Sequence, residues 1–85
     1  MATFILEVYR PGLTARSSQA IVQLVIAAIG SADGAAPIRY LASTLAPDDE
    51  VCYLRLQSPT RDDVEALVRR LGLPDARIAE VIDLG

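Results

Sequence analysis

Residues 58–84 read SPTRDDVEALVRRLGLPDARIAEVIDL. This stretch carries a helix, its stop and a strand in chain order. Thr60 stands where an N-cap belongs, because a threonine oxygen can accept from a first-turn N–H that has no partner inside the helix. Asp63 is placed for a capping box, although Asp is shorter than the usual Glu. Asp62 and Asp63 suit the positive start of a helix, and Arg69 and Arg70 its negative end. Val64, Leu67, Val68 and Leu71 form one apolar stripe. Gly72 supplies a left-handed closing residue, and Pro74 prevents continuation. The spacing then predicts a strand over RIAEVIDL, residues 77–84.

Toward the N-terminus, IRYLASTL (38–45) and VCYLRLQ (51–57) are two more predicted strands. APDDE between them suits a hairpin loop, and its acids Asp48, Asp49 and Glu50 read as a solvated tip. At the start of the chain, TFILEVYR (3–10) alternates with a period of two, as a half-buried strand does. Pro11 and Gly12 end it. Thr14 or Ser17 caps a helix running to about Ile29. Ile21, Leu24, Val25, Ala28 and Ile29 form its stripe, while Val22, Ile26 and Ala27 are apolar off the stripe. A helix so apolar on several sides is expected to meet more than its own sheet. Gly30 ends it, and GSADGAAP (30–37) reads as a flexible loop.

The resulting order, β-α-β-β-α-β, is the split βαβ or ferredoxin-like arrangement of the α+β class. It implies a four-stranded antiparallel sheet with two helices on one face, in a single domain over 1–85. The chain has 85 residues, one cysteine and no histidine, and 52% of its residues are hydrophobic. A domain this small is marginal alone. One cysteine cannot form an internal disulfide, and the commonest metal ligand is missing. Self-association is therefore the expected stabiliser, as a homodimer of α+β barrel type or a higher oligomer. The net charge of −3 lacks the basic footprint of a nucleic-acid binder. AIVQLVIAAIG is too short and interrupted to span a membrane. The N-terminus has no basic region before an apolar run, so the expectation is a cytoplasmic protein. Nothing in the sequence calls for a cofactor.

Alternation sorts the strand residues onto two faces. Phe4, Leu6 and Val8 are the natural helix-facing set of the first strand, which turns Ile5, Glu7 and Tyr9 to the bare face. Cys52, Leu54 and Leu56 face the helices in the third strand, which turns Val51, Tyr53, Arg55 and Gln57 outward. The topology makes these strands central neighbours, so Glu7 and Arg55 are expected side by side, flanked by Tyr9 and Tyr53. The second strand stays open between Arg39, Leu41 and Ser43 outward or Tyr40 and Ala42 outward. In the fourth, Glu80 is a candidate for the bare face. Cys52, alternating with leucines and with no histidine to activate it, reads as a core residue.

FILEVYRPGLT (4–14), Ser58–Val64 and Leu71–Val81 resemble the opening and closing segments of a family of small actinobacterial ferredoxin-like proteins, some of them nickel-binding. The resemblance implies the same fold and a dimeric or larger assembly. It also implies metal binding, but the histidines usual in that family are absent. Tyr9 occupies the strand position, and the helix carries Arg69 and Arg70. Without imidazole, nickel loses its preferred ligand type, so no metal site is assigned.

The leading functional expectation is a homo-oligomer that binds a small apolar or anionic ligand on or between its open sheets. Glu7, Tyr9, Arg39, Tyr53 and Arg55 are the ligand-binding candidates. The alternative is a cofactor-free enzyme of monooxygenase, cyclase or isomerase type acting on an aromatic or polyketide-like substrate. Glu7 would then be the general base, Arg55 would orient an enolate or carboxylate, and Tyr9 or Tyr53 would donate a hydrogen bond. A neighbouring arginine opposes the apolar setting such a base needs. Nickel binding is the third reading.

Overall fold

The computed structural model describes residues 1–30, 38–73 and 75–85. Its elements are β1 (Ala2–Tyr9), α1 (Ala15–Gly30), β2 (Arg39–Ala46), β3 (Val51–Ser58), α2 (Arg61–Leu71) and β4 (Arg77–Val81). The strands form one antiparallel sheet in the order β2-β3-β1-β4. This is the ferredoxin-like βαββαβ architecture that the sequence predicts. The expected loop over 31–37 and the stop at Pro74 fall outside the described residues.

The core lies between the sheet and the helices. Phe4, Leu6 and Val8 of β1 and Cys52, Leu54 and Leu56 of β3 are buried, and they pack with Ile21 and Val25 of α1 and Val64 and Leu67 of α2. Both helices therefore occupy the same face. The smallest extent of the molecule is 18 Å, the depth of one sheet and one helix layer. No element among the described residues covers the other face.

The helix ends follow the sequence closely. Thr60, in extended conformation, accepts a 3.2 Å hydrogen bond from the Asp63 N–H. The capping box is only half formed. Asp63 Oδ2 accepts from the Thr60 hydroxyl at 2.8 Å instead of reaching the Thr60 N–H, because its side chain is one carbon short. The buried Ser58 hydroxyl accepts from that N–H at 3.4 Å. At the other end Gly72 adopts φ 67°, its N–H meets the Arg69 carbonyl, and Leu73 N–H meets the Val68 carbonyl at 3.4 Å. That double closure is a Schellman motif. Thr14 and Ser17 both serve α1: each accepts from the backbone N–H of the other, at 3.1 and 2.9 Å.

Two expectations fail. Leu24 is 60% exposed, because it precedes the fully buried Val25 by one residue, a rotation of about 100° round the helix. The inward side of α1 is Ser18, Ile21 and Val25, with Val22 and Ile29 at its margin. The last strand stops at Val81 instead of residue 84. Ile82, Asp83 and Leu84 lie outside the sheet and are exposed.

The hairpin acids also differ from a simple solvated tip. Glu50 closes the β2–β3 loop in left-handed conformation, φ 56°, which costs a non-glycine residue roughly 1–2 kcal/mol. Its backbone carbonyl accepts from the Arg10 N–H at 3.1 Å, and its carboxylate accepts from the Gly12 N–H. These bonds tie the hairpin to the β1–α1 turn and offset the strain. Charge-assisted bonds of this kind contribute about 1.5–3 kcal/mol. Glu50→Ala should therefore lower the unfolding free energy by roughly 1–3 kcal/mol, while Asp49→Ala should stay within about 0.5 kcal/mol of wild type. Urea denaturation of the two variants measures the difference, and equal midpoints would contradict the clamp.

Candidate functional site

The antiparallel registers set the open face into transverse rows. One row runs Thr44, Tyr53, Glu7, Arg77 from β2 to β4. The next runs Ala42, Arg55, Ile5, Ala79, and a third runs Arg39, Gln57, Thr3, Val81. At the opposite end, Ala46, Val51 and Tyr9 make a short fourth row. Residues directly opposite each other in such rows have their Cβ atoms about 4.5–5.5 Å apart, and diagonal neighbours sit at about 7–8 Å.

These rows correct the expected pairing. Glu7 lies directly opposite Tyr53 on one side and Arg77 on the other. Arg55 lies opposite Ile5 and is only a diagonal neighbour of Glu7. Among the described residues, Arg55 pairs instead with Asp83: Nη1 and Oδ1 are 3.2 Å apart. The segment after β4 thus reaches the open face at β3. Arg39 and Tyr9 stand at opposite ends of the sheet, in the third and fourth rows, so they do not converge with each other. Glu7, Tyr53 and Arg55 form the central group. Glu80 leaves the candidate set, because it lies opposite the inward Phe4 and so belongs to the helix side of an edge strand, where it is exposed.

The second strand follows neither expected alternation. Arg39 faces outward opposite Gln57, and Tyr40 faces the helices opposite Leu56. A bulge at Leu41 then shifts the register, so that Ala42 lies opposite Arg55 and Thr44 opposite Tyr53. The Tyr40 hydroxyl donates to Ser43 Oγ at 2.8 Å across the bulge.

The bulge leaves a hollow of about 260 Å³ on the open face, lined by Ile5, Ala42, Thr44, Tyr53 and Arg55. An alanine beside an arginine leaves the guanidinium reachable, and isoleucine and tyrosine give the hollow an apolar wall. Small-molecule sites commonly combine apolar walls with a few polar groups. Sequence reasoning had Arg55 and Tyr53, and Ala42 under one of its two alternations for the second strand, but missed Arg77 and Asp83. The outward set of β4 is Arg77, Ala79 and Val81, a weak signal because Ile78 is also apolar. Asp83 had no signal, since IDL reads as a continuation of the strand.

A second, smaller hollow of about 190 Å³ opens on the helix side, between α1 and β2, with Ser18 and Cys52 at its wall. Burial pushes the Cys52 thiol above its ordinary pKa, and the nearby Ser18 hydroxyl offsets part of that rise. Ser18 Oγ is itself buried and makes no hydrogen bond of normal geometry. Cys52 is a core residue, as its alternation with leucines implies. Among the described residues no group of three or more cysteine or carboxylate side chains is placed to hold a metal ion. The donors therefore do not fit the nickel site that the family resemblance suggests. No helix among them is long and apolar enough to cross a membrane.

No family model matches the chain, and no curated protein matches it. Among solved structures, the chain is similar to the crystal structure of SCO4226 from Streptomyces coelicolor A3(2), with a TM-score of 0.77 over 99% of this chain and 100% of that one. The two sequences are 19% identical. At that identity the likeness defines the fold class, a small ferredoxin-like α+β protein.

The state of Cys52 has a pH consequence. A raised thiol pKa means that the folded chain holds its proton more tightly than the unfolded chain does. The associated stability is fully present below the unfolded thiol pKa and is lost as pH rises through the folded one. The native protein should react slowly with an aromatic disulfide reagent at neutral pH and rapidly once unfolded in urea. Cys52→Ala should flatten the alkaline fall in stability, and an unchanged alkaline profile would show that the thiol does not contribute.

Proposed function

We propose that the protein is a homo-oligomer that sets its open sheet face against a second copy and holds a small apolar or anionic ligand there. The observation that carries this reading is the hollow around Arg55, formed in the middle of a sheet face that the described residues leave uncovered. Tyr9, in the fourth row at the end of the central strand β1, is 50% exposed, so the same face carries apolar surface suited to association. Two layers and one modest core favour self-association as the remaining stabiliser. On this reading Tyr53 and Arg55 contact the ligand directly. Glu7 lies beside Tyr53 in its row and one row from Arg55, and Arg39 and Tyr9 lie at the ends of the face. A cytoplasmic location belongs to this reading.

One arrangement favours a second reading, a cofactor-free enzyme. Glu7 stands directly opposite Tyr53 and diagonal to Arg55, which puts a carboxylate, a phenol and a guanidinium on adjacent rows. That set can move a proton and orient an enolate or carboxylate. Against it, Arg77 is the other direct neighbour of Glu7, and the side chain is only half-buried. Binding is therefore the preferred reading.

Native mass spectrometry tests it. The expected mass is a multiple of 9.1 kDa, with additional mass that disappears on denaturation. A monomer at micromolar concentration would refute the assembly. Glu7→Gln should keep the assembly and the bound mass; if it instead abolishes turnover of a bound compound, the enzyme reading replaces the binding one.

A further inference from the structure

We infer that the hollow around Arg55 is a carboxylate site and that Asp83 is its built-in competitor. The inference rests on the ligand-binding reading above and specifies the ligand class and its regulation. Among the described residues, Arg55 is the sole cation lining the hollow; the other lining residues are Ile5, Ala42, Thr44 and Tyr53. One guanidinium against an apolar wall suits a single carboxylate on a short apolar or aromatic body, because the planar fork of arginine matches a carboxylate with two parallel hydrogen bonds. A phosphate dianion fits poorly. Its second negative charge would find no second cation in the lining and would add to the repulsion from Glu7 in the adjacent row. The volume of about 260 Å³ exceeds the roughly 150 Å³ in which an apolar cavity takes up a benzene ring.

Asp83 already demonstrates the recognition. Its Oδ1 stands 3.2 Å from Arg55 Nη1, so a carboxylate from the segment after β4 already occupies one nitrogen of the guanidinium that a ligand would engage. The contact uses one nitrogen of the guanidinium, and both side chains are substantially exposed, 39% for Arg55 and 77% for Asp83. A pair held by one nitrogen is weaker than a bidentate one, and an incoming acid that engages both guanidinium nitrogens displaces it. The segment then leaves Arg55 and swings off the open face. Arg55 is thus held in place while the site is empty, and acids too weak to displace Asp83 are rejected.

Benzoate, benzyl alcohol and inorganic phosphate titrated into the purified full chain test this, followed by backbone amide shifts. Benzoate should shift the amides of Ile5, Ala42 and Tyr53, and benzyl alcohol and phosphate should bind at least about tenfold more weakly. Asp83→Asn should tighten benzoate about threefold, the scale of an exposed ion pair. Arg55→Met should weaken it at least tenfold, and Arg55→Lys should keep part of the affinity, which separates lost recognition from lost folding. Unchanged affinity in Asp83→Asn overturns the competitor role. Equal binding of benzyl alcohol and benzoate overturns the carboxylate class but leaves ligand binding on the open face intact. If none of the three probes shifts the open-face amides, the carboxylate site fails, and the retained mass in native spectrometry decides separately on the binding reading.

Discussion

The register of β1 on β3 is the constraint on which the rest depends. The two strands pair along their full length, from Ala2 opposite Ser58 to Tyr9 opposite Val51. Phe4 then meets Leu56, Leu6 meets Leu54 and Val8 meets Cys52, all six beneath the helices. A slip of one residue would flip one strand against the other, turning three of these side chains out to solvent and bringing either Glu7 or Tyr53 and Arg55 into the core. No local hydrogen bond could offset that exchange, since each buried aliphatic side chain contributes about 1.5–3 kcal/mol and a lone buried charge is far more costly than that. Both ends of the register are also secured. Ser58 turns directly into the cap of α2, and beyond Tyr9 the Glu50 clamp holds the turn into α1.

The same register that hides the core places the chemistry. Once the even-numbered residues of β1 and β3 are committed inward, the odd-numbered ones have no choice of face. Glu7 falls between a phenol and a guanidinium, and Arg55 falls between an isoleucine and an alanine. The two charges therefore have different surroundings although they are diagonal neighbours. Glu7 has an opposite charge directly across the strand. Arg55 has apolar neighbours in its own row, and its partner comes from outside the sheet. A guanidinium placed this way is more open to an exchange of partners than one locked within a row.

The fold was legible because each signal was local and repeated at another level. Thr60, Gly72 and the stripe from Val64 to Leu71 name the same helix, and the alternation in 3–10 and 51–57 names the same faces. The candidate site was legible in part. Glu7, Tyr53 and Arg55 could be put on the open face by parity alone. Their mutual placement could not, because parity gives the face of a residue and says nothing of its row. That step needs the stagger between strands, and the hairpin and turn lengths fix it only in three dimensions. Asp83 was hidden for another reason. Residues 82–84 read on from RIAEV as more of the same strand, yet β1 pairs with β4 only as far as Thr3 opposite Val81. β1 extends only one residue past Thr3, to Ala2, so the central strand has almost no length left to pair with a longer β4.

The second strand shows how a single irregularity makes the hollow. Tyr40 and Leu45 both pack on the core, but five positions separate them, and an unbroken period of two cannot turn both inward. The bulge at Leu41 resolves this conflict by inserting one residue between the two halves of the strand. Without it, the outward parity of Arg39 would continue through Leu41 and Ser43. Leu41 would then lie opposite Arg55, and Leu45 would leave the core. With it, Leu45 stays inside opposite Cys52, Leu41 is displaced from the row, and Ala42 takes the place opposite Arg55. The requirement to keep Tyr40 and Leu45 buried is thus what sets a methyl group where a leucine would otherwise fill the space. The access to Arg55 follows from the packing of the opposite face of the sheet.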